Sequence, residues 1–307
     1  MNILHLKYAV EVARCGSINR AAEVLMITQP NVSRAIKELE ADLGIQIFQR
    51  STRGMVLTPD GEGFINYAQG ILKQIDEVEM LYKSGSVQRH KFSIAVPRAS
   101  YVADAFVKFS RSIGKEAAEF FYKETNSRKT IDGVLSGDYA MGIVRYAEQY
   151  DRFFKELFEE KELCSEMIAE FSYLLLMHKD SPLAKKDKIL FDDLKDFIEI
   201  AHADPYAPSL PLAKVIKEEI PDNINRRIYI FERGSQFELL AENPETFMWV
   251  SSVPQKMLDR YDLVQRECSE NFKLYKDMLI YKEGYRLTDL DKDFITCLCD
   301  SMRECLQ

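Results

Sequence analysis

The 307-residue chain is too long for one ordinary domain, and its 46% apolar content rules out wholesale disorder. No run of about 18 apolar residues offers a membrane span. The start, Met1-Asn2-Ile3-Leu4-His5-Leu6-Lys7, lacks the basic stretch and apolar core of a secretory signal, so a cytoplasmic protein without membrane partners is expected. Net charge is −8, yet residues 1–57 carry seven Lys/Arg against five acids, so phosphate contact is confined to this part of an otherwise acidic body.

The first helix is expected over residues 4–14, with Leu4, Tyr8, Val12 and Ala13 on its apolar face. Gly16-Ser17 ends it, and Ser17 can N-cap a second helix that buries Ile18, Ala21, Ala22 and Leu25. Thr28 is the N-cap expected for a third helix, where Pro30 is tolerated in the first turn. Val32, Ile36, Leu39 and Leu43 then face inward, leaving Gln29, Asn31, Ser33, Arg34 and Lys37 outward. This layout suits a recognition helix in the DNA major groove, where Gln and Asn pair with adenine and Arg with guanine. The plainer alternative is a solvated polar helix face.

Gly44 closes that helix, and Gln49 to Val56 reads as a small hairpin wing whose Arg50 and Arg53 reach phosphates or the minor groove, unless they are ordinary surface arginines. Ser17, Thr28, Gln29, Pro30, Asn31, Ser33, Arg34, Lys37, Arg50 and Arg53 form the expected DNA-binding set. Thr58-Pro59 opens a long helix to about Lys83. Its Phe64, Ala68, Ile71, Ile75, Val78 and Tyr82 recur at heptad spacing, which asks for a second helix as in a dimer. The alternative packs this seam on the rest of its own chain. Ser84-Gly85-Ser86 is expected to be a hinge.

From Lys91 short strands alternate with helices: strands at 92–96, 118–122 and 139–144, helices at 101–112 and 127–136. A parallel sheet with crossover helices is expected. Further strands are expected at 227–231, 246–251 and 273–281, and a last helix at 289–306. Loops at the carboxyl ends of parallel strands are where open sheets bind ligands. Pro97, Arg98, Ser100 and Tyr101 follow the first such strand, and Arg145, His202, Arg233 and Ser235 follow others. Together they are the expected cleft for a small anionic effector, a carboxylate among them; the alternative leaves each arginine exposed or paired with an acid.

The six cysteines include no Cys-x-x-Cys pair, the four histidines are scattered, and nucleophile elbow, phosphate loop and dinucleotide fingerprint are all missing. Neither an enzyme nor a metal or cofactor is expected.

The segments Ser17 to Leu25, Thr28 to Ile36, Leu39-Glu40, Leu43-Gly44, Phe48-Gln49-Arg50 and Leu57-Thr58-Pro59-Asp60-Gly61 resemble the LysR-type transcriptional regulators in order and spacing. Leu135 to Ala140 and His178 with Pro182-Leu183-Ala184 resemble segments of that family's regulatory half. The resemblance implies a multi-domain α/β protein: a winged helix-turn-helix (1–58), a linker helix and hinge that dimerises (59–90), and a domain like periplasmic binding proteins. That domain would have two α/β subdomains, 91–163 with 269–307 and 164–268, with crossings near Leu163-Cys164 and Glu267-Cys268. It further implies a double-stranded DNA operator, a small-molecule effector, a homodimer assembling into a homotetramer, and RNA polymerase as a further candidate partner. Two alternatives stay open: a solute-binding protein without a transcriptional role, and a redox-responsive regulator switching through Cys164 and Cys268.

Overall fold

The computed structural model describes residues 2–51, 54–83, 90–115, 117–202, 224–231 and 233–306. They separate into two compact units, Met1–Gln88 with Leu135–Asp138, and Arg89–Val134 with Tyr139–Gln307. No helix among the described residues is long and apolar enough to cross a membrane.

The first unit is built from α1 (Ile3–Cys15), α2 (Ile18–Val24), α3 (Gln29–Leu43), the hairpin strands β1 (Phe48–Ser51) and β2 (Gly54–Leu57), and α4 (Pro59–Lys83). Asn2 caps α1 by accepting the Leu4 amide at 2.9 Å. The buried face of α1 is Leu6, Ala9 and Val12; Leu4, expected inside, is exposed. In α3 the interior row is Val32, Ala35, Ile36 and Leu39. Leu43, expected to continue it, is exposed because it ends the helix one turn beyond the core. Ala21, Ala22 and Ala35 are all buried, and their small side chains let the helices approach closely.

The hairpin is pinned from both sides. Glu40 Oε1 accepts the Ile47 and Phe48 amides at 2.8 and 3.1 Å, and the Met55 amide donates to Gly16 O at 2.8 Å. Gly54 lies at φ +116, and a Cβ there would stand 2.5 Å from Gly16 O. The start of α4 is equally tight. The Thr58 amide donates to Ile47 O at 3.0 Å, Thr58 Oγ1 accepts the Gly61 amide at 2.9 Å, and a Cβ on Gly61 would overlap Ile47 O.

Two apolar rows share α4. Ile65, Ala68 and Leu72 are buried in the core of the first unit. Tyr67, Ile71 and Val78 remain 65%, 38% and 54% exposed. The expected heptad seam therefore splits: Ala68 faces inward, while Ile71 and Val78 lie on the outer row.

The second unit contains two five-stranded sheets. The first holds β3 (His90–Val96), β4 (Ala118–Glu124), β5 (Met141–Ala147), β6 (Leu163–Ser172) and β12 (Leu274–Lys282), in the order β4-β3-β5-β12-β6. Helices α5 (Ser100–Ser112), α6 (Ser127–Ser136) and α7 (Asp151–Glu160) lie between its strands in sequence. The second has the order β11-β7-β10-β8-β9, from β7 (Leu174–His178), β8 (Ile198–His202), β9 (Arg226–Ile230), β10 (Thr246–Val250) and β11 (Leu263–Arg266). With it go α8 (Gln236–Glu242) and α9 (Gln255–Arg260), and α10 (Asp289–Leu306) ends the chain.

The expected parallel sheet holds for β4, β3 and β5, the strands it was drawn from, but β12 is antiparallel to β5 and β6, so the first sheet is mixed; the second is mixed too, with β10, β8 and β9 parallel and β7 antiparallel to β10 and β11. The changes of sheet also differ from those expected. Leu163–Ser172 is the edge strand of the first sheet, paired with β12, so the chain leaves that sheet at Tyr173 and not at Leu163-Cys164. It returns between Arg266 and Leu274, and Asn271 Nδ2 donates to Tyr173 O at 3.0 Å, so the two crossings are neighbours.

Replacing Gly61 by Ala forces that Cβ against a fixed backbone carbonyl. The variant is expected to lose about 1–3 kcal/mol of stability in the first unit, read by urea unfolding. An unchanged midpoint would show that Ile47 moves freely.

Candidate nucleic-acid interface and regulatory cleft

In the first unit, Ser17 is the N-cap of α2 and accepts the Arg20 amide at 3.4 Å. Thr28 is the N-cap of α3 but makes no side-chain capping bond, and Pro30 sits in the first turn. Gln29, Pro30, Asn31, Arg34 and Lys37 are exposed, whereas Ser33 is half-buried. One face of α3 is therefore apolar and buried, and the opposite face presents amides, a guanidinium and an ammonium to solvent. Arg50 is exposed on β1; Arg53 lies outside the described residues. Glu40 is the residue the sequence reading left without a role: its carboxylate fixes the hairpin to the end of α3.

In the second unit a cleft of about 620 Å³, counting its open mouth, lies between the two sheets' subdomains. Pro97, Arg98 and Ser100 from the β3–α5 connection line one wall, beside Thr125, Asn126 and Ser127 from the β4–α6 connection. Tyr173, His202, Gln236, Met248, Val250 and Ser251 complete it with Arg145 and Trp249. Of the eight expected effector residues, Pro97, Arg98, Ser100, Arg145 and His202 line this space.

The other three do not. Tyr101 is fully buried and donates its hydroxyl hydrogen bond to Asp277 Oδ2; burial and then the Asp277 charge push its pKa far up. Ser235 is exposed. Arg233 is turned to the protein's own groups, with Nη1 2.7 Å from Glu124 Oε1 and Nη2 donating to Ser100 Oγ at 2.8 Å.

Arg145 lines the cleft but is not an unpaired anion receptor. It stands directly opposite Asp277 across β5 and β12. Its Nε and Nη2 donate to the two Asp277 carboxylate oxygens at 2.7 and 2.6 Å, and Nη2 also reaches Ser251 Oγ at 3.3 Å. The guanidinium lies 4.7 Å from the Phe171 ring centre. Burial disfavours the charged guanidinium, but the Asp277 carboxylate outweighs it and pushes the arginine's pKa well above its ordinary value. Strands β4 and β10 also end at the cleft, and the strand-end rule applied to β3 would have found Thr125 and Ser251 had it been applied there too.

Cys164 and Cys268 do not meet. Cys164 pairs with Tyr281 at the end of β6 remote from the crossing, about 26 Å from Ser172 at roughly 3.3 Å per residue. Cys268 is buried beside Ile189 in the second subdomain, where burial raises its thiol pKa. A disulfide needs Cα atoms within about 7 Å, so the alternative of a Cys164–Cys268 redox pair does not fit this geometry.

Residues 3–62 match the family model described as the bacterial regulatory helix-turn-helix protein, lysR family. AlsR, an HTH-type transcriptional regulator of Bacillus subtilis, is 27% identical over 279 residues, covering 88% of this chain and 86% of its own. The chain belongs to the LysR-type family of transcriptional regulators. YcgK, an uncharacterized HTH-type regulator of Bacillus subtilis, is 43% identical over 99 residues, which span 32% of this chain but 30% of YcgK. A cysteine-to-aspartate variant of full-length OxyR from Pseudomonas aeruginosa shares the fold at a TM-score of 0.56 and 19% identity, over 99% of this chain and 95% of that one. A winged helix-turn-helix, a long helix and a periplasmic-binding-protein-like α/β half are thus this LysR-type chain's architecture.

Asp277→Asn leaves the Arg145 charge buried without its counter-charge and is expected to cost about 3–5 kcal/mol in thermal or chemical unfolding. Replacing both partners, Arg145→Met with Asp277→Leu, is expected to recover most of that loss. Equal damage from single and double variants would argue against this account.

Proposed function

We propose that this LysR-type chain is a sequence-specific DNA-binding regulator acting in the cytoplasm by binding and not by catalysis, with operator affinity set by a small molecule in the cleft. The observation that carries the DNA reading is the split of α3 into the buried row Val32, Ala35, Ile36 and Leu39 and the exposed row Gln29, Asn31, Arg34 and Lys37. Exposed side chains at the start of such a helix reach base edges, while Ser17, Thr28, Pro30, Ser33 and the wing residues Arg50 and Arg53 set register on phosphates.

The outer row of α4 supports a homodimer. Ile71, Val78 and Tyr67 form an apolar stripe on a helix that already buries a different row, and a second copy of α4 would cover it. Pairing of such dimers into a homotetramer, and contact with RNA polymerase, extend this reading. The regulatory half responds by shifting between subdomain arrangements that bind effector unequally. Its boundaries are the linker at 59–90 and the two crossings at Tyr173 and 267–273.

Arg34→Ala is expected to weaken binding to the upstream intergenic DNA by about 1–3 kcal/mol in a gel-shift titration. Arg50→Ala should reduce the salt slope of binding by about one, because one fewer counterion is released. If full-length protein retards no such fragment at low salt, the DNA reading fails. Ile71→Asp is expected to yield monomers in sedimentation velocity; retention of the parent assembly would place the dimer contact elsewhere.

A further inference from the structure

Resting on the reading of the cleft as the effector site, we propose that its ligand is a monocarboxylate with a hydrogen-bond donor on the adjacent carbon, an α-amino or α-hydroxy acid.

The guanidinium groups at the cleft are committed to the chain itself, which weighs against a second carboxylate. Arg145 and the nearby Arg233 are bound to Asp277 and Glu124, and Arg98, which lines the cleft, donates to the Phe231 carbonyl at 2.7 Å. The seat that these contacts leave for an anion is a helix start. The N-cap of α5 is Ala99, which has no side chain to accept hydrogen bonds, so the first-turn amides of this 13-residue helix have no side-chain cap. Ser100 in that turn lines the cleft, is 4% exposed, and accepts from Arg233, which leaves its own hydroxyl proton to donate. By contrast, α6 is already served by Asn126, whose Oδ1 accepts the Lys129 amide at 2.9 Å.

The second observation is Gln236. It lines the cleft, is 3% exposed, and its Oε1 has no partner among the described residues. A buried acceptor without a donor is costly and rare, so it points to a donor brought by a ligand. Gln236 follows Arg233 by three residues through one continuous turn, about 5 Å along its axis, and Arg233 touches Ser100. The carboxylate seat and the orphan acceptor thus face the same cleft, linked through Arg233, and a ligand with its donor beside the carboxylate can serve both. Met248 and Val250 offer the remainder of the ligand an apolar wall.

The test uses full-length protein and two matched series, each read by thermal shift and calorimetry. One is L-phenylalanine, L-phenyllactate, 3-phenylpropionate and benzylmalonate. The other is L-leucine, 2-hydroxyisocaproate, isocaproate and isobutylmalonate. The amino or hydroxy members are expected to bind at least tenfold tighter than the donor-free acid and the dicarboxylate of the same series. Gln236→Met should abolish that preference and raise the melting temperature of the unliganded protein. Gln236→Glu, a second variant should Met misfold, should favour the amino over the hydroxy member and thereby separate the two donors. Preference for a dicarboxylate or donor-free acid, or no binding in either series, overturns the ligand class. Tight binding unaffected by both Gln236 variants and by Ser100→Ala would instead place the ligand outside the cleft and overturn the underlying site reading.

Discussion

The regulatory half is organised around one buried ion pair. Arg145 and Asp277 face each other across β5 and β12, with Tyr101 on the carboxylate and the Phe171 ring under the guanidinium. Taking two such charges out of water is expensive, and only near-ideal geometry offsets it. That requirement constrains the whole sheet. β12 comes from the far end of the chain to lie between β5 and β6, and a slip of one residue would turn Asp277 to the opposite face and strand the arginine. The same pair decides the chemistry above it, because an arginine that reads as an anion receptor is neutralised before any ligand arrives.

The first unit shows the opposite arrangement. Its core is small, and polar side chains hold its geometry at the edges: Glu40 on two strand amides, Thr58 on the Gly61 amide, Asn2 and Ser17 on helix starts. Because these contacts lie at the element ends, the outer face of α3 carries no structural duty. The residues that would read DNA are therefore free to vary in type without loss of the fold.

The helix-turn-helix was legible because local signals agreed. Caps, glycine stops and a heptad-like apolar row all fall within residues 17–58, and α4 starts at Pro59, where Thr58-Pro59 indicates it. Errors arose where long-range pairing decides. Leu163–Ser172 reads as the opening of a new subdomain, but its hydrogen-bonding partner is β12, more than 100 residues later in sequence. Arg233 and Tyr101 sit at plausible positions, yet Glu124 and Asp277 claim them, and no spacing rule announces partners so distant. Gln236 escaped notice because a glutamine at a helix start is ordinary until its environment is known.

The contacts between the two regulatory subdomains set the scale on which an effector must act. Arg233 bridges to Glu124 and Ser100, Arg98 Nη2 donates to Phe231 O at 2.7 Å, and Lys256 pairs with the buried Asp104. Charge-assisted hydrogen bonds of this kind contribute about 1–3 kcal/mol each, less where solvent screens them. Reversing a 1:99 equilibrium takes about 5.5 kcal/mol of differential binding, while micromolar binding supplies about 8 kcal/mol in all. A small ligand can therefore overrule these bridges only if most of its affinity is specific to one arrangement. Ser100 and Gln236 suit that condition, since each belongs to a different subdomain and a ligand held by both would favour the arrangement that brings them to one cleft.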